Sequence, residues 1–364
     1  MACGTPWIPG WPGVAQLSEP DPGPSSIPAV SVLMPCFNAE STLDETLASL
    51  FHQTLPQFEI VAVDDGSTDG TWDRLRRHSA VDSRLHPVRI NHAGIVAALN
   101  AGLAACRAPL IARMDADDLA HPERLAAQAR FLQEHPEIAA AGCLVEGFPE
   151  AAVRQGFRLY LEWLNGLLSP EAIAREIFIE SPLAHPSALI RREWLERLGG
   201  YQDLGWPEDY DLWLRMHLQG ARFAKVPQVL LRWREHPDRL TKTDSRYSVE
   251  NFLRAKAHYL QRGPLRERDG VILWGAGQVG RRLSKHLLRE GAQLAAFVDV
   301  DPRKIGRTLR ERPVIPPGEL PSTWKRFQRP ALLVAVATRG ARGLIRERLE
   351  QLGMLEGEDW WAVA

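Results

Sequence analysis

Ile60-Val61-Ala62-Val63-Asp64-Asp65-Gly66-Ser67-Thr68-Asp69-Gly70 is an apolar run that stops on two acids and passes into turn residues. Such a run, bounded by Gly, Ser and Asp, predicts a strand over Phe58–Val63 that ends at Asp64 and Asp65. Helical spacing resumes over Thr71–His78. The same alternation extends to both sides. Val30–Met34, Leu85–Ile90, Pro109–Met114 and Ile138–Val145 read as further strands, and Glu40–Gln53, Gly94–Cys106 and Pro122–His135 as the helices between them. The fold class is therefore α/β, with a mostly parallel sheet flanked by helices. Arg154–Leu168 and Asp244–Arg262 read as later helices. The first carries Phe157, Tyr160 and Leu164 at helical intervals, which suits packing on the core or a half-exposed face turned to an acceptor or a membrane.

Ligands of an open parallel sheet sit outside the carboxyl ends of its strands. Two acidic groups fall there: Asp64 with Asp65, and Asp115, Asp117 and Asp118 after the fourth strand. A carboxylate in that place can accept the imide N–H of a nucleobase, and Asp-x-Asp can hold a hard cation through oxygen. The alternative for Asp64–Asp69 is a turn with a helix cap. Asp115, Asp117 and Asp118 repel one another unless something positive lies between them. A third acidic group stands in Trp206-Pro207-Glu208-Asp209-Tyr210-Asp211-Leu212-Trp213. Taken alone it suits the positive end of a helix begun by proline.

Val30–Asn38, Ile60–Gly70, Leu110–Leu119 and Glu208–Arg215 (E-D-Y-D-L-W-L-R) together resemble family-two glycosyltransferases of the GT-A fold, in order and in separation, over roughly residues 29–262. The resemblance implies an inverting, metal-dependent transfer of a sugar from a UDP- or TDP-sugar to a hydroxyl, in assembly of cell-surface polysaccharide or glycoconjugate. By position it gives Pro35 and Phe37 the walls of the nucleobase pocket and Asp65 the uracil contact. Asp115 becomes a ribose or metal contact, Asp117 the direct ligand of Mg²⁺ or Mn²⁺, and Arg113 a donor-side group. Asp209 becomes the general base, with Glu208 and Asp211 orienting substrate or holding the helix start. His236 is a third metal ligand or diphosphate contact, or else a loop histidine. His185 lines the acceptor cleft or belongs to the core. His92 lies near the donor phosphates or is a plain loop residue.

Residues 263–364 read as a second, smaller Rossmann-like unit. Val271–Trp274 runs into Gly275-Ala276-Gly277-Gln278-Val279-Gly280, a helix follows, and Leu294–Val298 ends at Asp299. Strand, G-x-G-x-x-G, helix, strand and acid suit a nucleotide, a nucleotide-sugar or NAD on the helix amino end, or an empty docking unit. With Leu332–Ala337 as its one further strand it reads as half of a dinucleotide fold. Every candidate catalytic group lies before residue 240, so this unit is expected to be dispensable for the chemistry.

Residues 1–28 hold seven of the 27 prolines and are expected to be disordered. A net charge of -1 gives no case for nucleic acid as partner. From Pro264 onward there are 18 Lys and Arg against 12 Asp and Glu, so a net +6 faces -7 in the rest. The four cysteines lack metal-ligand spacing and read as reduced thiols. No apolar stretch is long enough to span a bilayer, which leaves a cytoplasmic protein with at most peripheral contact at the inner membrane face. The partners expected are a nucleotide-sugar donor and a saccharide or lipid-linked acceptor. The competing readings are a sugar nucleotidyltransferase, whose Gly-rich basic loop is missing after the first strand, and a non-catalytic nucleotide-sugar binder or scaffold.

Overall fold

The computed structural model describes residues 27–338 and 340–364, so most of the proline-rich start lies outside the described residues. Eight strands form one sheet: β1 Val30–Cys36, β2 Phe58–Asp65, β3 Leu85–Ile90, β4 Leu110–Arg113, β5 Leu119–Ala120, β6 Ile138–Phe148, β7 Leu189–Arg191 and β8 Arg222–Arg234. Their order is β3-β2-β1-β4-β7-β6-β8-β5. β1 to β4 pair in parallel, and β7 enters antiparallel between β4 and β6. β1 and β2 are buried at every position because helices cover both faces, which is why they read as unbroken apolar runs. Alternation sorts their side chains: Leu33, Val61 and Val63 enter one core, Val32, Met34, Ile60 and Ala62 the other.

The first helix spans Leu43–Phe51 and is shorter than its spacing predicts. Residues 38–42 are held as a loop instead. Asn38 takes a φ of 49°, the Ala39 N–H donates to Thr71 Oγ1 at 2.8 Å, and Glu40 accepts from the Gly70 N–H at 3.0 Å. Those bonds tie the end of β1 to the turn after β2, where the first acids stand. The helix Val249–Arg262 likewise starts later than Asp244, at a Ser248 cap.

A second sheet holds β9 Gly270–Trp274, β10 Leu294–Val298, β11 Thr308–Leu309, β12 Arg312–Ile315, β13 Pro330–Val334 and β14 Trp360–Ala362, in the order β11-β12-β10-β9-β13-β14. All its pairings except β11 with β12 are parallel. The expectation of one further strand is thus corrected. β12 and β14 are too short to announce themselves by periodicity, yet they extend the sheet on both sides.

The two sheets share a core. One cluster runs from Leu33 and Trp213 through Leu253, Leu260 and Leu265 to Val271, Leu283 and Phe297. Lys256 Nζ donates to the carbonyls of Ile179, at 2.5 Å, and Val363, at 3.1 Å. Glu176 accepts from Arg342 at 2.7 Å and Arg346 at 2.6 Å. The charge asymmetry read from the sequence is realised in these pairs.

Candidate active site

Asp65 closes β2 with both oxygens engaged: the Ala93 N–H donates to Oδ1 at 2.8 Å and the Gly94 N–H to Oδ2 at 2.9 Å. His92 Nδ1 lies 3.0 Å from Oδ2, and its ring stacks on Phe37 at 4.3 Å between centroids. Phe37 is 48% exposed, whereas Pro35 is buried in the end of β1. The aromatic wall over Asp65 is therefore Phe37 with His92. Asp64 is buried, accepting from the Ser67 N–H at 3.2 Å and paired with Arg89 Nε at 3.1 Å. Asp69 makes the turn of that alternative, since Oδ1 accepts from the Thr71 N–H at 3.0 Å.

Asp115, Asp117 and Asp118 follow β4, and each can offer one oxygen to a set lying within 4.8 Å. His236, just past β8, places Nε2 2.9 Å from Asp117 Oδ2. Asp118 is buried, with Oδ1 taking the Arg234 N–H at 2.8 Å and Oδ2 without a partner. Burial, then the charges of Asp117 and Asp115, push its carboxyl well above the usual range. An orphaned buried oxygen among three carboxylates is the electrostatic fit for a divalent cation. Buried Arg113 pairs with Asp115 and also lies within electrostatic reach of Glu208 and His185, so it stands between this acidic group and the next.

The helix Glu208–Leu218 sets its first turn at the other wall. Asp209 is half-buried and accepts from Ser181 Oγ at 3.3 Å. Burial, then the neighbouring Glu208, push its carboxyl up to about 7. Glu208 is buried, takes a 2.7 Å hydrogen bond from the Tyr247 hydroxyl and lies 3.8 Å from His185 Nδ1. Burial, then Arg113, hold His185 well below its ordinary value, and its Nε2 is 3.0 Å from the Tyr201 hydroxyl. It is thus a buried neutral brace behind Glu208. Asp211 is fully buried: Trp206 Nε1 and the Tyr259 hydroxyl reach Oδ1 at 2.9 and 2.5 Å, and Arg215 Nε reaches Oδ2 at 2.7 Å. Those contacts assign Asp211 to holding the helix rather than to orienting substrate. Tyr247 escaped the sequence reading, because its contact with Glu208 spans 39 residues and no local pattern signals it.

In the second sheet, Gly275 takes a φ of 120°, and a Cβ on Gly280 would stand 1.8 Å from the Gly275 carbonyl. Gly277 meets nothing within 4 Å. Asp299 accepts from the Ala276 N–H at 2.9 Å and from Lys304 Nζ at 2.9 Å. The acid thus braces the glycine loop itself.

A cavity of about 760 Å³, lined by Glu146, Glu150, Arg158, Glu162 and Arg232 among others, opens beside the helix Gln155–Gly166. Arg158 and Glu162 lie on the other side of that helix from Tyr160 and Trp163.

Residues 31–199 match the family described as Glycosyl transferase family 2. The putative glycosyltransferase EpsE of Bacillus subtilis is 32% identical over 63% of this chain and 81% of its own length. The amylovoran biosynthesis glycosyltransferase AmsE of Erwinia amylovora is 34% identical over 58% of this chain and 78% of its own. Among solved structures, S. aureus TarS 1-349 in complex with UDP-GlcNAc superposes with a TM-score of 0.54 and 20% identity, covering 71% of this chain and 72% of that one. The common architecture is the GT-A fold.

Proposed function

The chain belongs to glycosyl transferase family 2, and we propose that it moves a sugar from a nucleoside-diphosphate donor to a hydroxyl of a saccharide or lipid-linked acceptor, inverting the anomeric carbon. The observation that carries this reading is Asp209, a carboxyl pushed up to about 7, in the same fold as the clustered Asp115, Asp117 and Asp118 with Arg113 in electrostatic reach of both groups. Asp209 removes the acceptor proton as the acceptor oxygen bonds to the anomeric carbon, and the bond to the diphosphate breaks with its electron pair going to phosphate. The Ser181 hydroxyl donates to the base at 3.3 Å, and neighbouring Glu208 pushes its carboxyl up. Asp117, Asp115 and Asp118, with His236 alongside, are the residues to hold Mg²⁺ or Mn²⁺, which when bound supplies counter-charge to the leaving diphosphate.

On the donor side, Phe37 and His92 offer a ring platform above Asp65. Asp65 Oδ1 accepts only the Ala93 N–H and keeps a second lone pair, so an imide N–H of uracil or thymine can be received there. The name of the Erwinia relative supports placing the reaction in polysaccharide assembly. No helix among the described residues is long and apolar enough to cross a membrane, which suits an enzyme working at the inner membrane face. The test is release of nucleoside diphosphate from a panel of UDP-, TDP- and GDP-sugars, with Mg²⁺, Mn²⁺ or chelator. Turnover of a uracil or thymine donor that stops with chelator is expected. Release from GDP-sugars alone would overturn the donor assignment, and full activity in chelator the metal assignment.

A further inference from the structure

We propose that Tyr160, Trp163 and Trp233 form a stacking platform for an acceptor sugar ring, placed between the metal-side residues and the base. The inference rests on Asp209 as the base, and deepens it by naming a neutral saccharide as what lies before that base. Tyr160 and Trp163 project from one side of the helix Gln155–Gly166, and Trp233 comes from β8. Their ring centroids lie 5.8 Å apart for Tyr160–Trp163 and 6.4 Å for Tyr160–Trp233. Phe157 backs the group, with its ring 5.6 Å from Trp233. All four are part-buried, so the rings are held firmly while some surface stays open.

The two ends of the cluster tie it to the chemistry. At one end Trp163 Nε1 donates to Glu176 at 3.1 Å, and Glu176 opens the segment that runs to Ser181 on Asp209. At the other end Trp233 adjoins Arg234, whose Nε donates to the Asp117 carbonyl at 2.5 Å, and His236 lies on Asp117. The Tyr160 hydroxyl has no hydrogen-bond partner among the described residues. Burial, then the charges of Glu180 and Asp209, push that phenol up from its ordinary value, so it stays a protonated donor.

A pyranose matches this arrangement. Its face of C–H bonds is attracted to the negative face of an aromatic ring, while its hydroxyls point outward in the ring plane toward donors and acceptors such as Tyr160 and Glu180. An anionic lipid surface is a poor match. The charges of Glu180 and Asp209 act on Tyr160, and Arg239, which lies over one face of the Trp233 ring at 4.4 Å, is already paired with Glu235 at 2.8 Å.

The experiment is equilibrium binding of cellotriose, chitotriose and maltotriose to the full chain with UDP and Mg²⁺, by calorimetry and saturation-transfer NMR. At least one trisaccharide should bind, and Trp233→Ala and Tyr160→Ala should each weaken it by about tenfold or more, while Trp233→Phe stays within about threefold. UDP affinity should not change in any of them, which also shows that the variants are folded. Three results overturn the proposal: no trisaccharide binds, Trp233→Ala binds as tightly as the parent, or the variants lose adhesion to anionic vesicles and nothing else. Asp209→Asn should keep trisaccharide binding. Near-normal turnover in that variant would remove Asp209 as base and leave the platform to be judged on binding alone.

Discussion

A carboxylate that must accept a proton near neutral pH needs a pKa raised close to that pH, and burial next to another acid is the cheapest way to raise it. Asp209 has both, and sits at about 7. Protonated, it cannot act as the base, so kcat/KM is expected to rise with pH up to about 7 and to level above it. A profile flat from pH 5 to 9 would remove it from the role. The same shift has a stability consequence of known sign. The folded carboxyl titrates above its unfolded value of about 3.9, so its contribution to stability is full below that value and is lost as pH rises through about 7. Asp209→Asn should therefore raise the thermal midpoint at pH 8 while cutting turnover by ~10²–10⁴-fold and leaving donor affinity intact. A lower midpoint at pH 8 would mean that the ionised carboxylate is held by contacts stronger than Ser181. Asp211 predicts the contrary pattern. With Trp206, Tyr259 and Arg215 all spent on it, Asp211→Ala should unfold the helix start before it affects any kinetic constant, which melting curves beside donor binding will show.

The elements that carry the acids were legible because each is a buried run stopped abruptly by charge, as at Val63–Asp64 and Met114–Asp115. β7 was not legible. It is three residues long and owes its place between β4 and β6 to partners about 50 to 80 residues away. β8 was hidden by Lys225, Pro227 and Gln228, which break its apolar run, although it carries Trp233 and leads to His236. The division of labour between Asp209 and Asp211 was likewise out of reach, since it depends on Trp206 and Tyr259 folding over one carboxylate and not the other. The glycine loop was readable as a motif, but only geometry ranks its glycines. A Cβ on Gly280 meets the Gly275 carbonyl at 1.8 Å, and one on Gly277 meets open space. Gly280→Ala is expected to lower the thermal midpoint sharply and Gly277→Ala to leave it nearly unchanged. Equal melting of the two variants would mean that the loop relaxes freely and is no rigid cradle for any ligand.

Across the whole molecule, the question is whether chemistry confined to residues before 240 makes the second sheet dispensable. Motif positions alone say that it is. Packing says otherwise. The helix Val249–Arg262 buries Leu253 and Leu260 in a core that continues into Val271, Leu273 and Phe297. Lys256 spans from the Ile179 carbonyl to the Val363 carbonyl, and Ile179 lies two residues before Ser181, the partner of Asp209. Glu176, 9% exposed at its side chain, is ion-paired with Arg342 at 2.7 Å and Arg346 at 2.6 Å. A chain ended at Arg262 would expose apolar surface along that helix and leave Glu176 with Trp163 Nε1 as its remaining hydrogen-bond donor. Losing the partners of a buried carboxylate costs ~3–5 kcal/mol, a large part of a typical folding free energy. The expected outcome is a truncated chain that aggregates or melts well below the full one, with no measurable transfer. Arg342→Ala with Arg346→Ala in the full chain isolates the electrostatic part, and should lower the thermal midpoint and turnover together, since Glu176 and Ser181 lie on one segment. A soluble truncation with parental kcat would show instead that the second sheet rests on the first without shaping its active site.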